Sequence, residues 1–367
     1  MKKIYNIILI IIFIAVLYLP TITYFFMKDY MTEENLEKRV LATKPELSMK
    51  EIESYPQLYE KYYNDNLPYR NIILNNWRES FYNIFKESTD SRVVISTDKK
   101  NNSWLFYANA GGGDEFSYID GRKEVLKKDM DAVVTRIKEE TKKLKKKKID
   151  IYYIIAPNKS TVYSDYLPET MTVKKDYFSH FYEYALENDV TNLYYMEELL
   201  KEERKNYETY YRTDTHWNEY GSFISYKKVI NSIYDKEVVG DYKIKQTIST
   251  KQRGDLNDML GIKKIIKDVN TKVYYPNLNN REMKEENKVE IYTNPDALKN
   301  ETVLLVGDSF SVNSVDPVTS VYKKVIRVYT NFVKYNPAFI EKYKPKKIFY
   351  VRVERSTPNS IIHYKFS

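Results

Sequence analysis

Three short apolar runs near the C-terminus, "ETVLLVGDSF", "KKVIRVYTNF" and "KPKKIFYVRVE", and an earlier one from Ile149 to Ala156 in "IDIYYIIAP", constrain this chain most. Each is too short for a helix, rich in β-branched and aromatic residues, and opens into polar sequence. Such runs are buried parallel strands, because helices cover both faces of the sheet that holds them. The intervening sequence reads as helix over 119–147, 174–188 and 195–205, with a brief strand at 190–193 and a further helix after Asn218. The expected class is therefore α/β, a three-layer α/β/α domain.

Around this pattern lie two strand candidates, 91–96 and 103–109, the permissive turn "GGGD" at 111–114, and helices punctuated by Pro45, Pro56 and Pro68 over 31–90. Residues 240–300 interrupt the alternation. Within them, "NNREMKEENKVEIYTNP" reads as a solvated hairpin or insertion, and the "RGD" at 253–255 is too short to signal adhesion. There is no internal repeat.

The N-terminus carries a different signal. Ile4 to Met27 holds no charged residue, and Ile7 to Leu19 are all apolar. About 20 such residues suffice to cross a bilayer, and no small-residue cleavage signal follows. The expectation is a retained signal anchor over 1–28 that contacts membrane lipid through residues 4–27. A helical membrane-proximal or cap region follows over 29–90, then the main domain over 91–367. Lys2 and Lys3 favour a cytoplasmic start, so this expectation places the chain as a single-pass protein of the bacterial cytoplasmic membrane with its main domain on the extracytoplasmic side.

Composition removes some chemistries. The absence of cysteine excludes thiol nucleophiles, disulfides and cysteine-ligated metals. Of the net charge of +8, Lys2, Lys3 and Lys28 supply three before any acid occurs. The run "KKLKKKK" at 142–148 closes a helix pattern, where lysines answer exposed carbonyls. Nucleic-acid binding is not expected. The 37 tyrosines suit a core, an interface or a sugar-binding surface equally.

Two stretches can carry chemistry. Ser309 in "LLVGDSFS" follows an apolar strand, at the end of an α/β sheet where ligands bind, and Gly307 permits a tight turn there. The same tripeptide is also an ordinary strand-ending turn. Asp214 and His216 in "YRTDTHWNEYG" provide what a serine nucleophile lacks, a base and a carboxylate to orient it. Equally, Asp214 or Thr215 reads as a helix cap beside a surface histidine. Asn218 is placed to cap the next helix. His180 sits in an aromatic helix pattern and His363 in the apolar tail, so a three-histidine metal centre has no supporting spacing; no metal and no cofactor is expected.

Taken together, "TDTHWNEYG", "LLVGDSFS", "SWLFY", "APNKSTVY", "RGDLNDML" and "YYNDNLPYRN" resemble the SGNH-hydrolase-like family of alginate acetylation proteins (AlgX/AlgJ-like) and its Gram-positive DHHW branch. The His-containing motif precedes the serine, which matches that family's permuted motif order. The resemblance implies an extracytoplasmic O-acetyltransferase acting on an exopolysaccharide or other cell-surface glycan. Its acetyl donor would be supplied through a membrane-bound O-acyltransferase. Ser309 would be the nucleophile and acetyl carrier, His216 the general base and acid, and Asp214 its orienter. The aspartate of "GDSF" departs from the small or hydroxyl residue often found there, leaving Asp308 a structural or a tuning role. Asn158, Lys159 and Arg355 fall at strand ends as oxyanion or substrate contacts, or as hydrogen-bonding residues of the strand ends themselves. Trp217 serves either sugar stacking or packing. The competing readings are an acetylesterase with the same three residues and a non-catalytic exopolysaccharide assembly component.

Overall fold

The computed structural model describes residues 2–27, 40–49, 52–67, 70–108, 116, 125–169, 171, 177–249, 254–262, 266–331, 333–357, 361 and 366. The "GGGD" turn, Pro68 and His363 lie outside them. The chain divides into two units, Met1–Asp90 with Asn257–Ile265, and Ser91–Leu256 with Ile266–Ser367.

The first unit is helical, with helices Lys2–Met27, Tyr55–Asp65 and Arg70–Phe85. Pro56 sits in the first turn of the second helix, where its missing N–H costs nothing. Trp77, Phe81 and Phe85 fall at four-residue spacing and meet as tilted ring pairs along one face of the third. The expected membrane anchor is corrected here. Among the described residues, no helix is long and apolar enough to cross a membrane. The single-pass placement and the lipid contact of residues 4–27 rested on that anchor and fall with it; the extracytoplasmic side and the donor supply through a membrane-bound O-acyltransferase, which the family resemblance also implied, have no membrane-spanning helix among the described residues to support them.

The second unit is built on a mixed sheet. Its strands are β1 (Val93–Thr97), β2 (Ser103–Tyr107), β3 (Asp150–Ala156), β4 (Leu193–Tyr195), β5 (Lys243–Ser249), β6 (Asp268–Tyr274), β7 (Glu282–Glu286), β8 (Val289–Thr293), β9 (Lys299–Gly307), β10 (Tyr322–Tyr329) and β11 (Lys347–Val353). Seven form the main sheet in the order β4-β3-β11-β9-β10-β8-β7. The first five run parallel, and β8 and β7 add an antiparallel edge. The charged segment read as a hairpin does form one, turning at Asn287 and Lys288 with positive φ. It extends the sheet because β8 pairs with β10.

Alternation along the strands separates two apolar layers. Val303, Leu305 and Ile154 face one, with Phe223, Tyr226 and Val318 from the covering helices Glu219–Tyr234 and Val315–Val321. Leu304, Val306 and Ile155 face the other, with Val133, Ile137 and Phe181 from helices Lys127–Lys146 and Tyr177–Glu187. The sheet is thus the middle of three layers, and the middle of its central strands, such as Val303–Val306 and Ile348–Val351, is apolar on consecutive positions because both faces are covered. The lysines Lys143, Lys145 and Lys146 lie in the last turn of the long helix, at the negative end of its dipole.

Candidate active site

Parallel register brings three strand ends together. Ala156 of β3 pairs with Val353 of β11, and Val351 of β11 with Gly307 of β9. The residues that follow these strands, among them Asn158, Lys159, Ser309 and Arg355, therefore gather at the carboxyl edge of the sheet, where open α/β sheets bind ligands.

Ser309 opens a single 3-10 turn, Ser309–Ser311. Asp308 holds that turn in place: its Oδ1 accepts from the Phe310 N–H at 3.0 Å and its Oδ2 from the Val353 N–H at 3.0 Å. Gly307 contributes close approach, and its backbone does not use the left-handed region. A Cβ there would sit 2.7 Å from the Ser311 Cβ and 3.0 Å from the Val351 carbonyl oxygen.

Residues 211–216 form a tight loop closed by the Tyr210–Trp217 bridge. Asn218 caps the following helix, its side chain accepting from the Gly221 N–H at 3.0 Å. Asp268 on β6 accepts the N–H groups of Arg212 at 2.8 Å and Thr213 at 3.2 Å. From below, the buried Lys159 Nζ donates to the carbonyls of Tyr211, Arg212 and Asp214 at 3.1, 3.1 and 2.7 Å. This polar clamp replaces the hydrogen bonds an irregular buried backbone would otherwise lack.

With the backbone held, Asp214 and His216 meet directly. Asp214 Oδ1 lies 2.5 Å from His216 Nδ1 and accepts the His216 backbone N–H at 2.9 Å. Asp214 Oδ2 accepts the backbone N–H of Asp255 at 2.9 Å. The Asp255 carboxylate in turn accepts from the Thr215 N–H at 2.8 Å and hydroxyl at 2.7 Å, and lies 3.9 Å from His216 Nδ1. Among the described residues His216 Nε2 is buried with no hydrogen-bond partner. His216 and Ser309 line one cavity of about 360 Å³, together with Asp214, Tyr211, Asn313 and Tyr329. Two larger clefts, of about 630 and 670 Å³, contain none of these residues. Chemistry, and not volume, therefore marks the site.

The charges are strongly shifted. Burial would raise the Asp214 carboxyl, but the hydrogen bond and charge of His216, with two backbone N–H donors, outweigh it and hold the group at about 2. Burial works against a charged His216, yet Asp214 and then Asp255 overcome it and raise the imidazole above its ordinary 6.5, while Arg355 opposes them. Asp255 is raised, by burial first and by the Asp214 charge second. Ligand atoms of Asp214, His216 and Asp255 lie within 4.8 Å of one another, a spacing a metal ion would also fit. All four carboxylate oxygens already accept N–H or O–H donors, which suits the orientation of an imidazole.

The remaining sequence candidates separate clearly. Trp217 is fully buried, its indole N–H donating to the Phe310 carbonyl at 2.9 Å, so it packs and offers no face to a sugar. Lys159 has its three N–H bonds directed at loop carbonyls and supports the site from beneath. Asn158 is buried and accepts from Arg355 Nη1 at 3.1 Å, and the Arg355 guanidinium lies 5.6 Å from the Phe310 ring. His180 is exposed on its helix. Asp255 was not foreseen; its only sequence signal was "RGDLNDML", in which nothing distinguishes one carboxylate from the other.

Several comparisons bear on this geometry. The structure of Bacillus cereus PatB1 is similar at a TM-score of 0.55 with 15% identity, over 74% of this chain and 100% of that one. A second PatB1 structure, carrying a sulfonyl adduct, gives 0.50 with 14% identity over the same shares. A DHHW family protein from Eubacterium siraeum gives 0.52 with 14% identity, over 76% of this chain and 97% of that one. At these identities the likeness is one of fold. No curated protein matches the sequence. Residues 100–316 match the family model described as "SGNH hydrolase-like domain, acetyltransferase AlgX". Family and the Asp–His–Asp cluster together support a hydrolase- or transferase-type active site. With more than half of its length matched, the chain belongs to the AlgX-type SGNH hydrolase-like family.

Proposed function

We propose that this protein transfers acetyl groups to hydroxyls of a glycan through a serine acyl-enzyme, with Ser309 as nucleophile, His216 as general base and acid, and Asp214 as its orienter. The observation that carries the reading is the pairing of His216 Nδ1 with Asp214, which leaves Nε2 without a partner among the described residues, on a side chain that lines the same cavity as Ser309. An imidazole so held accepts a proton at Nε2.

In the first half-reaction Nε2 takes the Ser309 proton as Oγ attacks the acetyl carbonyl. The tetrahedral oxyanion collapses, the donor's leaving oxygen receives the proton from His216, and an acetyl ester remains on Ser309. In the second, a sugar hydroxyl gives its proton to Nε2 and attacks that ester, and Ser309 recovers its hydrogen. Transfer prevails over hydrolysis when the sugar is oriented better than water; Tyr211, Tyr329 and Asn313 line the cavity where it would sit.

The test uses the full chain with p-nitrophenyl acetate and intact-mass spectrometry, with and without glycan oligosaccharides. The expected result is one acetyl group on the Ser309 peptide, absent from Ser309→Ala, and acetylated sugar when an acceptor is present. Free acetate alone in every incubation would assign an acetylesterase. Equal labelling of Ser309→Ala would overturn the serine mechanism.

A further inference from the structure

We propose that Asp255 is a second carboxylate positioning His216, holding the base loop through its backbone N–H and its bonds to Thr215, and setting a negative charge 3.9 Å from the ring nitrogen Nδ1. This rests on the reading of His216 as the base. Its two actions come from different atoms.

The backbone N–H of Asp255 donates to Asp214 Oδ2 at 2.9 Å. It fixes the oxygen that does not touch the imidazole and leaves Oδ1 for Nδ1. The side chain binds Thr215 twice, at the N–H and the hydroxyl, so the residue between Asp214 and His216 cannot rotate away. With those bonds made, the carboxylate stands 3.9 Å from His216 Nδ1, within the range where an opposite charge favours the protonated ring. The segment is pressed onto the loop: Leu256 N–H donates to the Thr213 carbonyl at 3.2 Å, and a Cβ on Gly254 would lie 2.1 Å from that same oxygen.

Among the described residues, the charged groups facing His216 are Asp214 from its own loop, Asp255 from the helix Asp255–Leu260, and Arg355 from the turn after β11. Arg355 works against the two acids. The net balance therefore depends on Asp255: with one acid facing one guanidinium the ring would hold its proton less firmly. A base that is also to return a proton to the leaving group benefits from this bias, since the imidazolium formed in the first step is stabilised.

The test is the titration of the His216 ring by NMR in the full chain, assigned against His216→Ala, in wild type and in Asp255→Asn and Asp255→Glu. Asparagine keeps the backbone N–H and can still accept from Thr215, but removes the charge. The His216 titration is expected to move to lower pH in Asp255→Asn, so that the ratio of neutral to protonated ring at a fixed pH on the transition rises about threefold or more, and to return toward wild type in Asp255→Glu. An unchanged titration in Asp255→Asn overturns the proposal. Should that variant not fold, the wild-type ring resonance decides, because it then carries a second step above pH 3.8 as the raised Asp255 carboxyl titrates; its absence is equally fatal. The readout does not use catalysis, so it stands apart from failure of the acetyl-transfer reading, which the Ser309 labelling tests. In an active enzyme the acid limb of kcat/KM follows the same displacement.

Discussion

The indole N–H of Trp217 donates to the carbonyl of Phe310 at 2.9 Å, so the residue after the candidate base is tied to the residue after the candidate nucleophile. The two rings also meet edge to face, 5.7 Å apart, and Asn313 returns a bond to the Trp217 carbonyl at 2.7 Å. Two loops from distant parts of the chain are thereby held in one relative position.

Trp217→Phe keeps the aromatic packing and removes the N–H. Ser314 still donates to the Phe310 carbonyl at 3.2 Å, so the stability loss is expected to be about 1 kcal/mol, measured by urea denaturation. Acetyl loading of Ser309 falls by more than that stability change implies, because the distance between the loops is no longer fixed. Loading equal to wild type would show that the bond serves packing alone.

Lys159→Met fills similar space and leaves three loop carbonyls without their shared cation. The expected cost is roughly 2–5 kcal/mol. His216 then titrates closer to its ordinary value, since the loop that presents Asp214 loosens. Denaturation and histidine NMR on one sample check both parts.

The pH dependence follows from the shifted pair. General-base function needs neutral His216, so acetyl loading rises with pH through a transition above 6.5. Stability runs in the opposite sense. The raised imidazole contributes stability that is complete below 6.5 and lost as pH rises through the folded value; lowered Asp214 contributes stability present above 3.8 and lost as pH falls toward about 2. Asp214→Asn moves the loading transition to lower pH and reduces the plateau rate, by roughly a hundredfold or more. A pH–rate profile of the two proteins provides the measurement.

Gly254→Ala places a methyl group 2.1 Å from the Thr213 carbonyl oxygen. Neither partner is the end of a flexible side chain, so the backbone must part. The expected loss is roughly 2 kcal/mol or more, accompanied by a fall in the His216 titration as Asp255 withdraws. A thermal melt and the histidine titration would reveal either effect missing.

Much of the architecture was legible because its causes are local. The strand before Ser309 is apolar at every position from Val303 to Val306, and only a sheet covered on both faces makes use of that. Asn218 could be read as a cap from its place ahead of a helical pattern. The amino-terminal anchor misled for the same reason: apolar length is a local property, and the described helix does not meet the requirement for a crossing. Trp217, an even choice between sugar stacking and packing, was decided by burial beneath Phe310, which no neighbour in sequence announces.

The sequence by itself determined the alternation of elements, the pairing of a histidine motif with a later serine motif, and hence the family. Tertiary structure alone decided that a second carboxylate, Asp255, faces the imidazole beside Asp214. Asp255 lies 40 positions from Thr215 and Lys159 lies 55 from Asp214. Those contacts depend on how the sheet's parallel register and the return of residues 254–256 bring distant parts of the chain together, and hydrogen bonds at about 3 Å act on distance in space, with no trace in local periodicity.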